Sequence, residues 1–292
     1  MCAMNNIDPD TRVYTDEENI GKDVVIGPYS VIDADEIGDN TVIGSNTVIN
    51  EGVVIGKNCR IGNHVNLGFL AQGLYDDLEP GKLIIKDNVK IESKVTLERA
   101  TEEGNSTTIG DNSVLYAGVH IGHDSEIGEG VSVISGALLA GNVKVGNYAV
   151  ISTSMIHQFT RIGDVSIIAG NTRITKDVLP YICVAESRKK ERNMVFFINQ
   201  VGLQRAGYTA EQMTNIQKAY HILFRTPTIQ KGLENLVKET DNNEARKIAE
   251  FVGQSLKGRG FYSFPYMKAN LRIFNPTSVY ANKGDYDSNK GR

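Results

Sequence analysis

Aliphatic residues recur at every sixth position over most of the chain from Ile20 to Ile174. The rhythm slips by one residue after Ile32 and again after Ile151. The recurring residues stand at positions 20 to 32, 37 to 67, 85 to 97, 109 to 151 and 156 to 174. A period of six does not follow the 3.6-residue repeat of a helix, but it is the period of hexapeptide β-helices. The pattern therefore predicts a β-solenoid, in which three hexapeptides make one coil and the coils stack as parallel strands.

Two further positions of each hexapeptide follow the same rhythm. A small or β-branched residue stands two positions before most of the aliphatic residues, as Ser30 and Cys59 do, and glycine often follows directly after them. We predict that the aliphatic side chain fills the shaft and that the small residue packs where two faces converge. Glycine or asparagine would occupy the positive φ that a tight corner requires. The asparagines expected in that conformation are Asn40, Asn46, Asn58, Asn112 and Asn147.

The rhythm is interrupted at residues 69–83 and 98–108, which lack aliphatic residues at the inward spacing. Repeat proteins usually carry their insertions on one face, and such loops often build a binding site. Long loops without a function are uncommon in compact domains, so we expect the first segment to contact a substrate. The alternative is a tolerated surface insertion.

Beyond Ile174 the pattern changes to helical spacing. We divide the chain into a β-helix over 7–180, a helical domain over 181–260 and an extension over 261–292 that is partly disordered. The predicted helices are one over 193–204 that Gly207 stops, one opened by a capping box of Thr209 and Gln212, one capped by Thr228 and one beginning at Asp241.

Composition narrows the function classes. The 292 residues suffice for a long repeat domain and a smaller second domain, and a net charge of −4 gives no reason to expect nucleic acid. No apolar run is long enough to span a bilayer, and the first residues lack the features of a signal peptide. Cys2, Cys59 and Cys183 show no zinc or disulfide spacing. We therefore expect a cytoplasmic protein without a bound metal or a permanently bound cofactor.

Three of the five histidines lie close together in the repeat. Because Ile121 points inward, His120 points outward and His123 lies just past the corner. His157 follows inward Ile156 at the second slip, and a one-residue slip re-aims a side chain as a β-bulge does. The histidines are therefore candidates for a site on the outer surface of the shaft.

The pair His123 and Asp124 has the chemistry of a general base. Imidazole titrates near neutrality, and a neighbouring carboxylate can raise its basicity. The alternative is a pair of solvated surface residues. A metal site is disfavoured because no cysteine partner or His-x-His spacing accompanies the histidines.

Several local strings, together with the shaft and the helices, resemble the UDP-N-acetylglucosamine O-acyltransferase (LpxA) family. The matching strings are VHIGHD (119–124), LAG (139–141), IHQF (156–159), DVLPY (177–181), NQVGL (199–203), RAGY (205–208) and SLKGR (255–259). The resemblance covers roughly residues 20 to 260 and includes the helices, which other hexapeptide proteins lack. It implies a left-handed parallel β-helix followed by a C-terminal α-helical domain, assembled as a homotrimer with active sites between neighbouring shafts.

The resemblance also assigns roles to individual residues. His123 would be the general base that deprotonates the sugar nucleophile, and Asp124 would orient it. The N–H of Gly141 would stabilise the oxyanion formed by attack on an acyl thioester. The remaining expected substrate contacts are His120, His157 and Gln158 in the cleft, and Asn199 and Arg205 in the helical domain, where arginine suits phosphate or the acyl carrier.

Other positions depart from the family. The family usually has Asp-Leu-Lys after the glutamine of the first loop, whereas this chain continues from Gln72 to Tyr75 without an acidic residue. Asn142 stands where many members have histidine, and so does Glu98. The 185–199 connection is longer than the family's. We expect Gln72, Tyr75 and Asn142 to line an altered substrate site.

Three functions remain open at this point. The retained base and the altered sugar contacts favour transfer of a short 3-hydroxyacyl group from CoA or acyl carrier protein to a dTDP- or UDP-linked amino-deoxyhexose of surface polysaccharide. The alternative is O-acylation of UDP-N-acetylglucosamine in lipid A synthesis. A third possibility, from another class, is a non-catalytic trimeric scaffold.

Overall fold

The computed structural model describes residues 5–72, 79–186, 194–239 and 242–261. Its main body is a three-sided shaft in which each coil contributes one short strand to each of three parallel sheets. The chain passes in order from sheet A to sheet B to sheet C, and we name the corners A–B, B–C and C–A. Every hexapeptide therefore supplies one strand and one corner, as the six-residue period predicts.

The strands of the three sheets are short. In spatial order sheet A contains β1 (Asn6–Ile7), β3 (Val25–Ile26), β6 (Val42–Ile43), β9 (Arg60–Ile61), β12 (Lys90–Ile91), β15 (Val114–Leu115), β18 (Ser132–Val133), β21 (Val150–Ile151), β24 (Ile167–Ile168), β26 (Ile182–Glu186) and β27 (Met194–Ile198). Sheet B contains β2 (Arg12–Val13), β4 (Val31–Ile32), β7 (Val48–Ile49), β10 (Asn66–Phe69), β13 (Thr96–Glu98), β16 (His120–Ile121), β19 (Leu138–Leu139), β22 (Met155–Ile156) and β25 (Arg173–Ile174). Sheet C contains β5 (Glu36–Ile37), β8 (Val53–Ile55), β11 (Lys82–Ile85), β14 (Ser106–Ile109), β17 (Glu126–Ile127), β20 (Lys144–Val145) and β23 (Arg161–Ile162).

The core is a set of stacked aliphatic columns inside the shaft. In sheet B, for example, Leu97, Ile121, Leu139 and Ile156 are in register on neighbouring strands, and all four are buried. Burial of one such side chain stabilises the fold by about 1.5–3 kcal/mol. The small residues two positions earlier are also buried, from Ser30 through Thr172. Both predictions for the interior are confirmed.

The positive φ is found at corner glycines such as Gly118 and Gly130 but not at most glycines that directly follow the aliphatic residues, and the asparagine prediction holds for four of five positions. Asn40, Asn46, Asn58 and Asn112 have φ between 56° and 59°, but at the corresponding corner Tyr148 takes the positive φ instead of Asn147. Most glycines that follow the aliphatic residues have ordinary φ values. They are needed because the next coil lies too close: a Cβ on Gly21 would lie 2.5 Å from the Asp39 nitrogen.

A second regularity at the corners is a series of side-chain caps. At five coils of the C–A corner and at one coil of the A–B corner, the N–H two positions after the inward aliphatic residue donates to an Asp or Asn side chain of the next coil. Ser45 donates to Asn63 at 2.8 Å and Glu129 donates to Asn147 at 2.9 Å. We call this series the corner ladder. It satisfies backbone donors that the short strands leave without a partner.

Both interruptions of the rhythm lie at the B–C corner. Residues 70–81 connect β10 to β11, and residues 99–105 connect β13 to β14. The loops are shorter than the predicted breaks, because β11 and β14 already belong to the shaft and bury Leu83 and Thr107. The two insertions therefore leave the solenoid from the same edge.

The chain after the shaft begins with a strand pair that the helical pattern did not predict. The predicted helix over 193–204 is wrong in its first half, since β27 pairs antiparallel with β26 and only α1 (Gln200–Arg205) is helical. Because β26 is the last parallel strand of sheet A, its outer edge would otherwise be open, and β27 covers it. Tertiary pairing therefore overrides the local pattern.

Three longer helices follow as predicted. They are α2 (Ala210–Phe224), α3 (Ile229–Leu236) and α4 (Asn243–Lys257). The capping box of Thr209 and Gln212 is formed, and Thr228 caps α3. The cap of α4 is Asn242; Asp241, the predicted start, lies outside the described residues. Within the described ranges, no helix has the length and apolar character needed to cross a membrane.

A buried polar cluster joins the helices to the end of the shaft. Asp177 is 2% exposed, accepts hydrogen bonds from the Arg161 N–H at 2.9 Å and the Ser255 hydroxyl at 2.7 Å, and thereby links β23 to α4. The Arg161 guanidinium lies 4.3 Å from the ring centre of Phe251 on the same helix. Burial raises the pKa of the Asp177 carboxyl above its ordinary value of 3.8, while the Ser255 and Arg161 hydrogen bonds oppose that rise.

We expect Asp177→Ala to lower the free energy of unfolding by about 2 kcal/mol, because it leaves two buried donors without an acceptor. Asp177→Asn keeps an acceptor for Arg161 and should change stability little at pH 7. Since the pKa of Asp177 is raised in the folded state, the carboxyl contributes most to the free energy of unfolding at low pH, and this contribution is lost as the pH rises above 3.8. Relative to wild type, the melting temperature of Asp177→Asn should therefore rise progressively as the pH is raised above 3.8. A large loss of stability in that variant at pH 7 would contradict the assignment.

Candidate active site

Four successive coils bring Glu98 and several predicted site residues together at the B–C corner. His123 and Asp124 lie between β16 and β17. Because Leu97, Ile121, Leu139 and Ile156 are in register, Glu98 lies in the coil before His123, Gly141 in the coil after it and Gln158 in the next. Neighbouring strands are about 4.8 Å apart, so these residues form one continuous column.

The centre of the column is a hydrogen-bonded pair of His123 and Asp124. His123 Nδ1 lies 2.8 Å from Asp124 Oδ2, and the two side chains are 16% and 14% exposed. Asp124 has φ 56°, which turns its side chain back toward its own neighbour. The carboxylate favours the tautomer with the proton on Nδ1, so that Nε2 presents the lone pair of a base.

Gly141 leaves the space that the imidazole occupies. A Cβ at this position would collide with the His123 ring, with Nε2 as the nearest atom. Gly141 is buried, and among the described residues no oxygen accepts a hydrogen bond from its N–H. The equivalent residue of the next coil is Gln158, not the Asp or Asn of the corner ladder. An unsatisfied N–H beside a base is the donor that an oxyanion requires.

Thr101 is a part of the site that the sequence did not reveal. Its hydroxyl donates to Asp124 Oδ2 at 2.8 Å, and its N–H lies 3.3 Å from both carboxylate oxygens. Thr101 belongs to the 99–105 loop. The insertion at the B–C corner therefore positions Asp124, which in turn is hydrogen-bonded to His123. Threonine in a polar loop carries no local signal of such a contact.

We expect Thr101→Val to lower kcat by about 3- to 10-fold, because loss of one hydrogen bond of roughly 1 kcal/mol loosens Asp124 without removing it. Thr153→Val is the matched control, since the Thr153 hydroxyl donates to the Ser135 carbonyl at 2.8 Å on the A–B corner. Steady-state rates for both variants test this. Equal rates would exclude a role for Thr101 in the site.

His120 and Glu98 lie next to the pair. His120 is on the outer face of sheet B, as predicted, and its Nε2 is 3.8 Å from Glu98 Oε1. The Glu98 side chain is 4% exposed, and its other oxygen accepts a hydrogen bond from the His123 N–H at 3.2 Å. From the sequence, Glu98 could be identified only as a residue that differs from the histidine common in the family, because a buried carboxylate at a strand end has no sequence signature.

The other predicted substrate contacts on the shaft surround this corner. Asn142 follows Gly141 with φ 58°, and its N–H donates to the His123 carbonyl at 2.7 Å. His157 is half-buried, with Nδ1 3.2 Å from the Gln158 carbonyl, and the side chain of Gln158 is exposed. Gln72 is exposed in the 70–81 loop. Tyr75 lies outside the described residues.

The two predicted contacts in the helical domain lie elsewhere in the chain. Asn199 is buried and caps α1: its Oδ1 accepts from the Gly202 N–H at 2.9 Å and its Nδ2 donates to the Val165 carbonyl at 2.7 Å. Its amide is thus used to attach α1 to the C–A corner, which is a structural role. Arg205 is exposed at the last turn of α1. Neither belongs to the column around His123.

A groove of about 880 Å³ adjoins the site on the sheet C side. Its lining begins with Asp124 and Asn142 at the B–C corner, continues over Lys144 and Arg161, and reaches Lys247 on α4. Asp124, not His123, faces this groove, so it reaches the carboxylate side of the pair. Within the described part of the chain, no group of three or more His, Cys, Asp or Glu side chains could hold a metal ion.

The chemical capacity of the column is that of acyl transfer. It combines a base whose orientation is fixed from Nδ1, a carboxylate that can support the imidazolium, and a backbone N–H beside the base. These are the parts needed to deprotonate a hydroxyl or amine and to stabilise a tetrahedral oxyanion.

Comparisons with known proteins agree with this chemistry. Residues 177–262 match the model of UDP-N-acetylglucosamine O-acyltransferase, domain 2, and residues 36–68 and 104–141 match that of the bacterial transferase hexapeptide. The acyl-[acyl-carrier-protein]–UDP-N-acetylglucosamine O-acyltransferase of Campylobacter concisus is 32% identical over 253 residues, which cover 85% of this chain and 95% of that protein.

Solved structures give the same answer. The UDP-N-acetylglucosamine acyltransferase of Campylobacter jejuni superposes with a TM-score of 0.78 at 27% identity, over 89% of this chain and 100% of that one. LpxA of Bacteroides fragilis superposes with a TM-score of 0.76 at 31% identity, over 90% and 100%. The predicted left-handed β-helix with a C-terminal helical domain is thereby confirmed. Both the chain-long relatives and the column at the B–C corner lead to one conclusion: the chain is an acyltransferase that belongs to the LpxA-like UDP-N-acetylglucosamine O-acyltransferase family.

Proposed function

We propose that the protein transfers an acyl group from acyl carrier protein to the 3-hydroxyl of UDP-N-acetylglucosamine. The observation that carries the proposal is the His123, Asp124 and Gly141 column, found in a chain whose relatives, along nearly their full length, are named for this reaction. The donor and the acceptor are taken from those relatives. The column supplies the reaction type.

The reaction follows from the geometry of the pair. The sugar hydroxyl attacks the thioester carbonyl while its proton passes to His123 Nε2, and Asp124 supports the imidazolium through Nδ1. The carbonyl oxygen becomes an oxyanion that the Gly141 N–H stabilises. Collapse of the tetrahedral intermediate breaks the carbon–sulfur bond, and the thiolate takes the proton from Nε2. The base is regenerated and no further cofactor enters the balance.

The comparisons favour this O-acylation over the amino-sugar acceptor that the sequence departures suggested. The relatives that span most of the chain are O-acyltransferases acting on UDP-N-acetylglucosamine. Of the departures behind the amino-sugar hypothesis, Asn142 contacts His123 through its backbone N–H, a contact that does not involve the asparagine side chain. The ordered pair at the B–C corner also speaks against a non-catalytic scaffold.

A competition between acceptors tests the proposal. The purified protein is incubated with 3-hydroxyacyl carrier protein of several chain lengths and either UDP-N-acetylglucosamine or a UDP-linked 3-amino-deoxy sugar, and products are identified by mass spectrometry. We expect an ester of UDP-N-acetylglucosamine. An amide formed exclusively from the amino sugar would overturn the proposal in favour of N-acylation, and no product in either arm would favour the scaffold.

We further propose that three copies associate through sheet B and its neighbouring corner. Leu138 and Met155 point outward from sheet B with 46% and 56% exposure, and Phe69 and Phe159 at the B–C corner are 41% and 54% exposed. An exposed apolar set of this kind supports a protein–protein contact. Light scattering should give three times the 32.0 kDa chain mass. A monomeric mass would contradict the assembly.

A further inference from the structure

The His123 N–H donates a hydrogen bond to the Glu98 carboxylate, and this contact differs from those of the corner ladder. At five coils of the C–A corner and at one coil of the A–B corner, the N–H at this place of the hexapeptide donates to an Asp or Asn of the next coil, as Glu129 does to Asn147 and Ser45 to Asn63. The next-coil equivalent of that asparagine, for His123, is Gly141. Glycine has no side chain, and the His123 ring fills the space that a side chain would need.

At the B–C corner, among the described residues, no Asp or Asn side chain of the next coil accepts this N–H, and in the coil of His123 the imidazole occupies the space beside Gly141. The part-buried His123 N–H requires a hydrogen-bond acceptor. Glu98 supplies that acceptor from the preceding coil, with Oε2 at 3.2 Å from the nitrogen. Glu98 can approach this N–H from the preceding coil, whereas on the side of the next coil the imidazole occupies the space beside Gly141.

Asp124, Gly141 and Glu98 each restrict the position of His123. Asp124 holds Nδ1, Gly141 bounds the ring on the side of Nε2, and Glu98 holds the main chain from below. The Glu98 side chain is itself confined, since it is 4% exposed and its second oxygen lies 3.8 Å from His120 Nε2. A confined acceptor fixes a main-chain donor more narrowly than water would.

We propose that Glu98 is a positioning residue for the general base: its carboxylate accepts the hydrogen bond of the His123 N–H and thereby fixes the main chain of His123. The inference rests on the proposed function, because it assigns Glu98 to the same reaction. The feature that matters is the hydrogen-bond acceptor. Glutamine, whose amide oxygen can also accept, should substitute for it, whereas leucine, which fills similar volume without an acceptor, should not.

The kinetic test compares Glu98→Leu, Glu98→Gln and Asn63→Ala. Small displacements of a catalytic group can cost about 100-fold in rate. We expect kcat of Glu98→Leu to fall about 10- to 100-fold with KM within about 2-fold of wild type, and kcat of Glu98→Gln to stay within about 3-fold. Asn63→Ala removes a ladder acceptor far from the site and should leave the rate unchanged. Wild-type kcat in Glu98→Leu, or equal losses in Glu98→Gln and Glu98→Leu, would overturn the proposal.

A second measurement does not depend on turnover. Protein labelled with ¹⁵N-histidine has five histidine amides, and the His123 signal is identified by its loss in His123→Asn. In Glu98→Leu that amide should shift and exchange faster with solvent, while in Glu98→Gln and Asn63→Ala it should stay protected. An unchanged His123 amide in Glu98→Leu would overturn the positioning role. If wild type acylates neither acceptor, the proposed function fails, and the amide signal still reports on the contact.

Discussion

Replacing His123 with alanine should lower kcat by about 10²- to 10⁴-fold, the range that a positioned general base contributes. The reason is that the substrate hydroxyl must lose its proton as it attacks, and Nε2 is the acceptor that Asp124 and Gly141 position for it. Because the His123 imidazole takes part in proton transfer and does not belong to the packed interior of the shaft, KM for the nucleotide sugar should change little. Steady-state kinetics with saturating acyl carrier protein measure both parameters.

The control for this variant is His64→Asn. His64 is an exposed corner residue with φ 55°, a conformation that asparagine tolerates, so the substitution removes an imidazole without backbone strain. It should leave kcat at the wild-type value. If His123→Ala retained full activity while its melting temperature and mass matched wild type, the base would have to be another group and the mechanism above would fail.

Replacing Gly141 with alanine should have the second largest effect, a loss of about 10²- to 10³-fold in kcat, similar to removal of an oxyanion donor. The added Cβ would occupy the place of the His123 ring and force the imidazole away from both Asp124 and the Gly141 N–H. The backbone itself tolerates alanine, because Gly141 does not have a positive φ. The fold should therefore persist while the chemistry is lost.

Gly170→Ala is the matched control for Gly141→Ala. Gly170 also lacks a positive φ, and a Cβ there would meet nothing within 4 Å. Its rate and melting temperature should equal those of wild type. Activity of Gly141→Ala within a few-fold of wild type would show that the imidazole can move aside without cost, and would remove the steric part of the mechanism.

The two expected losses differ in origin, and a double variant separates them. If alanine at 141 acts by displacing His123, adding it to His123→Ala should cost much less than it does alone, because no ring remains to displace. If it acts by disturbing the oxyanion donor, the two losses should multiply. The comparison therefore assigns the effect of Gly141 to the base or to the N–H.

Residues with a repeating or local signature could be predicted from the sequence. The inward column that includes Ile121 follows from the period of six, since each position repeats the same environment coil after coil. Thr209 and Thr228 were identified as caps because capping is decided within four residues. His123 beside Asp124 is likewise a contact between chain neighbours. In each case the interaction that matters lies within a few positions of the chain.

The remaining features depend on how coils and loops stack. Thr101 and Glu98 reach Asp124 and His123 across 23 and 25 positions, and nothing in the intervening sequence specifies which coil edge they share. Asn199 matched a substrate-binding string, yet its amide caps α1 and binds the Val165 carbonyl. Residues 194–198 form β27 because the last edge of sheet A needs a partner, which local propensity cannot express.

The sequence by itself determined the solenoid and its helical end, because a repeated inward residue acts through short separations. It indicated His123 as the candidate base through the neighbouring carboxylate and the family resemblance. Only the tertiary structure decided how that candidate base is held: by the loop that supplies Thr101, by the glycine that leaves space for the imidazole and by the Glu98 carboxylate that accepts the His123 N–H. The physical reason is that a stacked coil satisfies its corner donors from its neighbours. The contacts that position a side chain of one coil are therefore supplied by residues of the neighbouring coils.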